Sequence, residues 1–191
     1  RLAAEIWGSP DAVDGIGAYT PMNEYKARRA RWSLVRKELH DSLGLCNWMG
    51  PWVASPLQSR GYRGDDSLES RLYSLATGRE IDREGLDRIG ERIFTLHRAL
   101  TLRDMGQLDL RGQHDRMPPW IFEDPAGAPP FSPGAIRMDR ADMSLALDLF
   151  YQVMGWDRAT GAPTRETYAR LGMTEVGQAL ARDKLVPGET A

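Results

Sequence analysis

The chain has 191 residues, 41% of them hydrophobic, enough to bury a real core in one ordinary domain or two small ones, so global disorder is excluded. Lys plus Arg number 25 against 27 Asp plus Glu, a net charge of -2, and no overall basic field recruits nucleic acid or an anionic bilayer. A single cysteine makes neither an internal disulfide nor a multi-cysteine metal site within the chain.

No apolar run reaches the roughly 18 residues that a membrane span requires, and the opening Arg1-Leu2-Ala3-Ala4-Glu5 has no apolar centre of the kind a signal peptide carries. These features read as a soluble, cytoplasmic protein without a membrane or nucleic-acid partner. A first residue other than Met reads as a processed or partial polypeptide.

The stretch from Gly8 to Gly17 is rich in Gly and Asp and is expected to be irregular. From Tyr25 to Leu39 the residues Tyr25, Trp32, Val35 and Leu39 recur at helical spacing with no Gly or Pro between them, which predicts a helix. A connection broken by Pro and Gly follows from Gly50 to Gly64. Asp65-Asp66-Ser67 then offers capping oxygens to a short helix with Leu68, Leu72 and Leu75 on one face, stopping at Gly78. The clearest predicted helix runs from about Asp82 to Arg103, where Leu86, Ile89, Ile93, Leu96 and Leu100 step by three and four. Its opposite face, with Arg88, Glu91, Arg92 and Arg98, is expected to meet water or a partner.

Between Asp104 and Asp139 lie Pro118, Pro119, Pro125, Pro129, Pro130 and Pro133 with several Gly, and no apolar period survives. A stretch this long without structure of its own is uncommon in a compact domain and is expected to wrap another surface. A cap near Asp142 precedes Met143, Leu147, Phe150 and Met154, with Gly155 closing that helix. Two short helices are expected at Thr164 to Leu171 and Thr174 to Arg182. Val and Ile are sparse and alternating runs are missing. The predicted fold class is therefore all-α, with irregular helical domains and a long Pro- and Gly-rich loop.

The chemistry-bearing segment is His40-Asp41-Ser42-Leu43-Gly44-Leu45-Cys46, where a helix end turns at Gly44 and presents a carboxylate and a thiol about one turn apart. Asp41 can match two parallel N–H donors, and Cys46, once deprotonated, can ligate iron or zinc. Equally, Cys46 beside Leu45 and Trp48 can be a small core residue, and Asp41 a residue that hydrogen-bonds at the helix end. The basic run Lys26-Ala27-Arg28-Arg29-Ala30-Arg31 continuing to Arg36-Lys37 is read as a solvated face, or one paired with acidic groups or phosphates. Trp7, Trp48, Trp52, Trp120 and Trp156 are read as core or interface anchors. His40, His97 and His114 are read as structural or solvated, without a catalytic task.

The string from Asp41 to Cys46 resembles the Asp-x-x-Gly-Leu-Cys motif of the aldehyde ferredoxin oxidoreductase family. Two further blocks resemble that family in the same order: Gly90-Glu91-Arg92-Ile93-Phe94-Thr95-Leu96-His97-Arg98 followed by Arg103-Asp104-Met105-Gly106 and Asp115-Arg116-Met117-Pro118, and near the end Asp148-Leu149-Phe150-Tyr151, Gly155-Trp156-Asp157, Gly161-Ala162-Pro163-Thr164 and Leu171-Gly172-Met173. The chain departs from the family in having Asn47-Trp48, not a basic residue, just after the motif cysteine.

The resemblance implies that residues 1–191 form the C-terminal helical region of such an enzyme. A β-rich pterin-cradling domain, a second pterin motif and three clustered cysteines would then lie on polypeptide outside this chain. It implies a tungsten or molybdenum bis-pyranopterin cofactor and an iron–sulfur cluster (4Fe-4S). Asp41, Gly44 and Leu45 would contact a pterin, and Cys46 would supply the fourth cluster thiolate. No catalytic acid or base falls on this chain. The implied reaction is oxidation of an aldehyde to a carboxylic acid, with electrons passing to ferredoxin or an electron-transfer subunit, and the chain alone is expected to be inactive. The alternative is a helical interaction or assembly module, descended from that family, that holds no cofactor.

Overall fold

The computed structural model describes residues 2–13, 21–46, 55, 57–122 and 139–188. Among them every regular element is helical, so the all-α class predicted from sequence holds. The helices are α1 (Leu2–Trp7), α2 (Glu24–Leu43), α3 (Leu68–Thr77), α4 (Arg83–Met105), α5 (Leu110–Gln113), α6 (Arg140–Met154), α7 (Arg165–Arg170) and α8 (Thr174–Arg182). Three-residue 3-10 turns lie at Pro10–Ala12, Gln58–Arg60 and Pro119–Ile121. No helix among the described residues is long and apolar enough to cross a membrane.

Most boundaries follow from local chemistry. α3 ends at Gly78 and α6 at Gly155, each in the left-handed conformation expected of a closing glycine. The cap of α6 is Asp139, three residues earlier than the expected Asp142: its carboxylate accepts the Ala141 N–H at 2.7 Å and the Asp142 N–H at 3.1 Å. Asp142 instead accepts the Met22 N–H at 2.8 Å, tying the start of α6 to the segment before α2. The stretch expected to be wholly irregular contains α5, which exists because the Asp109 carboxylate accepts the Gly112 N–H at 2.8 Å. Residues 123–138 of that stretch lie outside the described residues, as do Trp48 and Trp52.

The chain divides into two compact units, Ala3–Arg31 with Arg98–Ala191, and Trp32–His97. In the first, Ala99, Leu102, Leu110, Ala162, Tyr168, Leu171, Met173, Leu180, Leu185 and Val186 form one apolar cluster. Such a cluster supplies most of the folding free energy of a small unit, about 25 cal/mol for each Å² of apolar surface removed from water. Beside it the buried Arg98 packs its guanidinium over the Trp156 ring at 5.0 Å, and its Nε donates to the Gly161 carbonyl at 3.0 Å. In the second unit Val35 and Leu39 of α2 face Gly90 of α4, with Leu86 fully buried nearby in sequence.

The buried stripe of α4 matches the expected one only in part, with Leu86 buried and Ile89 and Ile93 half-buried. Leu86, Gly90, Glu91, Thr95, Arg98, Ala99 and Leu102 are buried, while Leu96 and Leu100 are exposed. Arg88 and Arg92 face water as anticipated; Glu91 and Arg98 do not. The stripe is turned because Gly90 admits the α2 backbone and Arg98 finds internal partners, and both gains outweigh those of seating Leu96 and Leu100.

Candidate functional site

The motif residues sit where α2 stops. Gly44 has φ +69°, a conformation that costs an L side chain about 1–2 kcal/mol, so a glycine here closes the helix cheaply. The Leu45 N–H then reaches back to the His40 carbonyl at 2.8 Å, and the Gly44 N–H to the Asp41 carbonyl at 3.4 Å, the paired bonds of a Schellman closure. The order Asp-x-x-Gly-Leu thus has a folding reason independent of any ligand. A Cβ on Gly44 would meet nothing within 4 Å, so it is the φ angle, not crowding, that demands glycine in this chain.

Asp41 lies in the last turn of α2, where a carboxylate faces the negative end of the helix dipole. Lys37, one turn earlier, offsets this with Nζ 2.6 Å from Asp41 Oδ2. That hydrogen bond and the Asp41 charge raise the Lys37 pKa. Both side chains are more than half exposed, at 58% and 52%, so solvent screens the pair and it yields readily to another donor. Cys46, beyond the turn, is exposed and carries a free thiol. The turn therefore brings Asp41, Gly44, Leu45 and Cys46 into one short segment with the carboxylate and the sulfur both accessible, in contrast to the alternative of a buried core cysteine.

These groups suit the two kinds of ligand expected of them. A carboxylate presents two acceptors to paired N–H donors, and a thiolate is a soft ligand for iron. The Leu45 N–H is itself engaged by the His40 carbonyl. Among the described residues no group of three or more His, Cys, Asp or Glu could hold a metal ion.

Directly beneath the turn is a network that sequence reasoning missed. His40 Nε2 lies 3.0 Å from Glu69 Oε1, and both side chains are only 4% exposed. Arg36 Nη1 lies 3.1 Å from Glu69 Oε2, and Arg36 Nη2 3.1 Å from Asp87 Oδ1. The Arg36 contacts are close in distance but poorly aligned for hydrogen bonding, so charge more than direction holds them. The only signal in the sequence was the i, i+4 spacing of Arg36 and His40 beside the apolar Val35 and Leu39.

Other residues of the basic run are engaged as well. Arg28 pairs with Glu24 one turn away, and the Arg29 guanidinium lies 5.7 Å from the centre of the Trp7 ring. His97 is 3.0 Å from Glu38, and His114 is 2.8 Å from Asp115.

Residues 3–173 match the family described as aldehyde ferredoxin oxidoreductase, domains 2 and 3. Among solved structures the chain is similar to the active site complex BamBC of benzoyl coenzyme A reductase in complex with 1,5-dienoyl-CoA, with a TM-score of 0.60 and 21% identity. That likeness covers 85% of this chain and 21% of the other, and at this identity it is a likeness of fold.

Proposed function

The chain belongs to the aldehyde ferredoxin oxidoreductase family, and from that membership we propose that it is the C-terminal helical part of an oxidoreductase converting aldehydes to carboxylic acids. The observation that carries the reading is the Schellman turn at Gly44, which leaves the Asp41 carboxylate and the Cys46 thiol accessible on one short segment.

In this reading Asp41 exchanges its exposed Lys37 partner for the amino and ring N–H donors of a pterin. Gly44 and Leu45 shape the turn against that pterin, and Cys46 gives its thiolate to a cubane iron–sulfur cluster completed by three cysteines from elsewhere in the parent polypeptide. When bound, the tungsten or molybdenum bis-pterin centre and the cluster supply the two-electron oxidation, in which an aldehyde and water yield an acid, two protons and two electrons. The contribution of this chain is to hold and orient, and no general acid or base is assigned to it. Ferredoxin or an electron-transfer subunit is the proposed acceptor, and the cytoplasm the proposed site of action.

The test is purification of the parent protein under anoxic conditions. Tungsten or molybdenum with iron by elemental analysis, and aldehyde-dependent reduction of a viologen dye, are expected. A parent free of both metals would overturn the reading in favour of a helical assembly module without cofactor.

A further inference from the structure

We propose that Glu69 is a positioning residue for the Asp41–Cys46 turn, acting through His40. This rests on the reading of that turn as a cofactor contact.

His40 has two jobs in the structure. Its carbonyl is the acceptor that closes the turn, taking the Leu45 N–H at 2.8 Å. Its ring is buried and meets Glu69 Oε1 at 3.0 Å. The residue whose backbone sets where Leu45 and Cys46 emerge is thus clamped by a carboxylate from another helix. Glu69 is in turn held by Arg36, which stands one turn before His40 on α2 and also meets Asp87 of α4.

Three helices of this unit therefore meet at one charged cluster directly behind the motif. An apolar seam would pack α2 against α3 equally well, but it would let α2 rotate or slide. Charged partners at fixed distances specify one rotation and one register, the use of buried polar groups that is best supported. Supporting residues of this kind commonly alter metal affinity by about 10–100-fold when removed, with no contact to the metal themselves.

The experiment compares Glu69→Ala, Glu69→Gln and, as a core deletion outside the network, Leu86→Ala, all in the parent protein. In Glu69→Ala the amide exchange of the peptide containing Leu45 should quicken by about tenfold relative to the rest of α2. Cluster iron retained after gel filtration should fall by about tenfold, and the electron paramagnetic resonance spectrum of the reduced cluster should shift. Glu69→Gln keeps an oxygen opposite the His40 ring but turns an N–H group toward Arg36, so it should fold and recover both signals in part, ahead of Glu69→Ala. Unchanged exchange at Leu45, or a Leu86→Ala protein that reproduces the spectral shift, would overturn the proposal. A wild-type parent without any cluster would instead sink the reading under Proposed function, while Leu45 exchange would still decide whether Glu69 positions the turn.

Discussion

Arg98 and Asp115 meet fork to fork in the first unit, with Arg98 Nη1 2.8 Å from Asp115 Oδ1 and the second nitrogen–oxygen contact closing the pair. The Tyr151 hydroxyl donates to the same carboxylate at 2.5 Å. Arg98 is only 8% exposed, so losing Asp115 strands a buried cation. Asp115→Ala should lower stability by about 3–5 kcal/mol, measured by urea unfolding at neutral pH. A cost below 1 kcal/mol would show that water reaches the guanidinium freely.

The same pair sets an acid limit. Burial works against the ionised Asp115, but hydrogen bonds with Arg98, His114 and Tyr151 and the charge of Arg98 outweigh it and hold the carboxyl below its ordinary 3.8. A depressed folded-state pKa contributes stability that is complete above the unfolded value and is lost as pH falls through the folded one. The wild-type chain should therefore lose stability as pH drops below about 4. In Asp115→Asn that part of the loss should be missing, so the two unfolding curves converge at low pH. Parallel curves would assign the acid limit to other carboxylates.

Local chemistry was legible in the sequence and distant partnership was not. The ends of α3 and α6 could be read from Gly78 and Gly155, and the motif turn from Gly44, because one residue's backbone freedom decides each. The face of α4 could not. Its apolar residues fit one stripe and its small and polar residues the adjacent one, and the choice was made by Gly90 against α2 and by Asp115 for Arg98. The site shows the same division. Asp41 through Cys46 announced themselves as a string, whereas Glu69, brought to His40 from a separate helix, had no mark beyond being a charged residue in a first turn.

Gly90 makes the α4 argument testable. A Cβ at this position would stand 2.9 Å from both the Val35 carbonyl oxygen and Val35 Cγ1, and a backbone atom cannot step aside as a flexible side chain would. Replacing Gly by Ala inside a helix should gain up to about 1 kcal/mol in propensity, while overpacking costs about 1–3 kcal/mol. Gly90→Ala should be destabilising on balance, and Gly90→Leu should abolish the folded second unit by circular dichroism. A stabilised Gly90→Ala would mean that α2 and α4 have room to separate.

Gly44 separates turn geometry from crowding. Because a Cβ there meets nothing within 4 Å, Gly44→Ala should cost only the left-handed conformation, about 1–2 kcal/mol. Gly44→Asn, tolerated in that region of φ, should cost less than Ala. If Ala and Asn are equally costly in the isolated chain, strain at φ is not what fixes this residue. In the parent protein a further loss of pterin for both variants, beyond what their stability explains, would indicate that a cofactor face approaches Gly44.

Cys46 offers the most direct reading of occupancy. Its sulfur is exposed in this chain, so one equivalent of a maleimide should couple to the native chain as fast as to a small exposed thiol, with no denaturant. If Cys46 ligates iron in the parent protein, as proposed, its thiolate is not available to an electrophile there, and coupling at this position should be blocked until the cluster is stripped with chelator and oxidant. Peptide mapping after labelling distinguishes Cys46 from the other cysteines. Protection that survives complete removal of iron would show that polypeptide, not a cluster, covers the sulfur. Equal labelling before and after removal would place Cys46 outside the metal site, and Cys46→Ser, which offers only a hard and weakly acidic hydroxyl, would then leave iron content unchanged instead of lowering it.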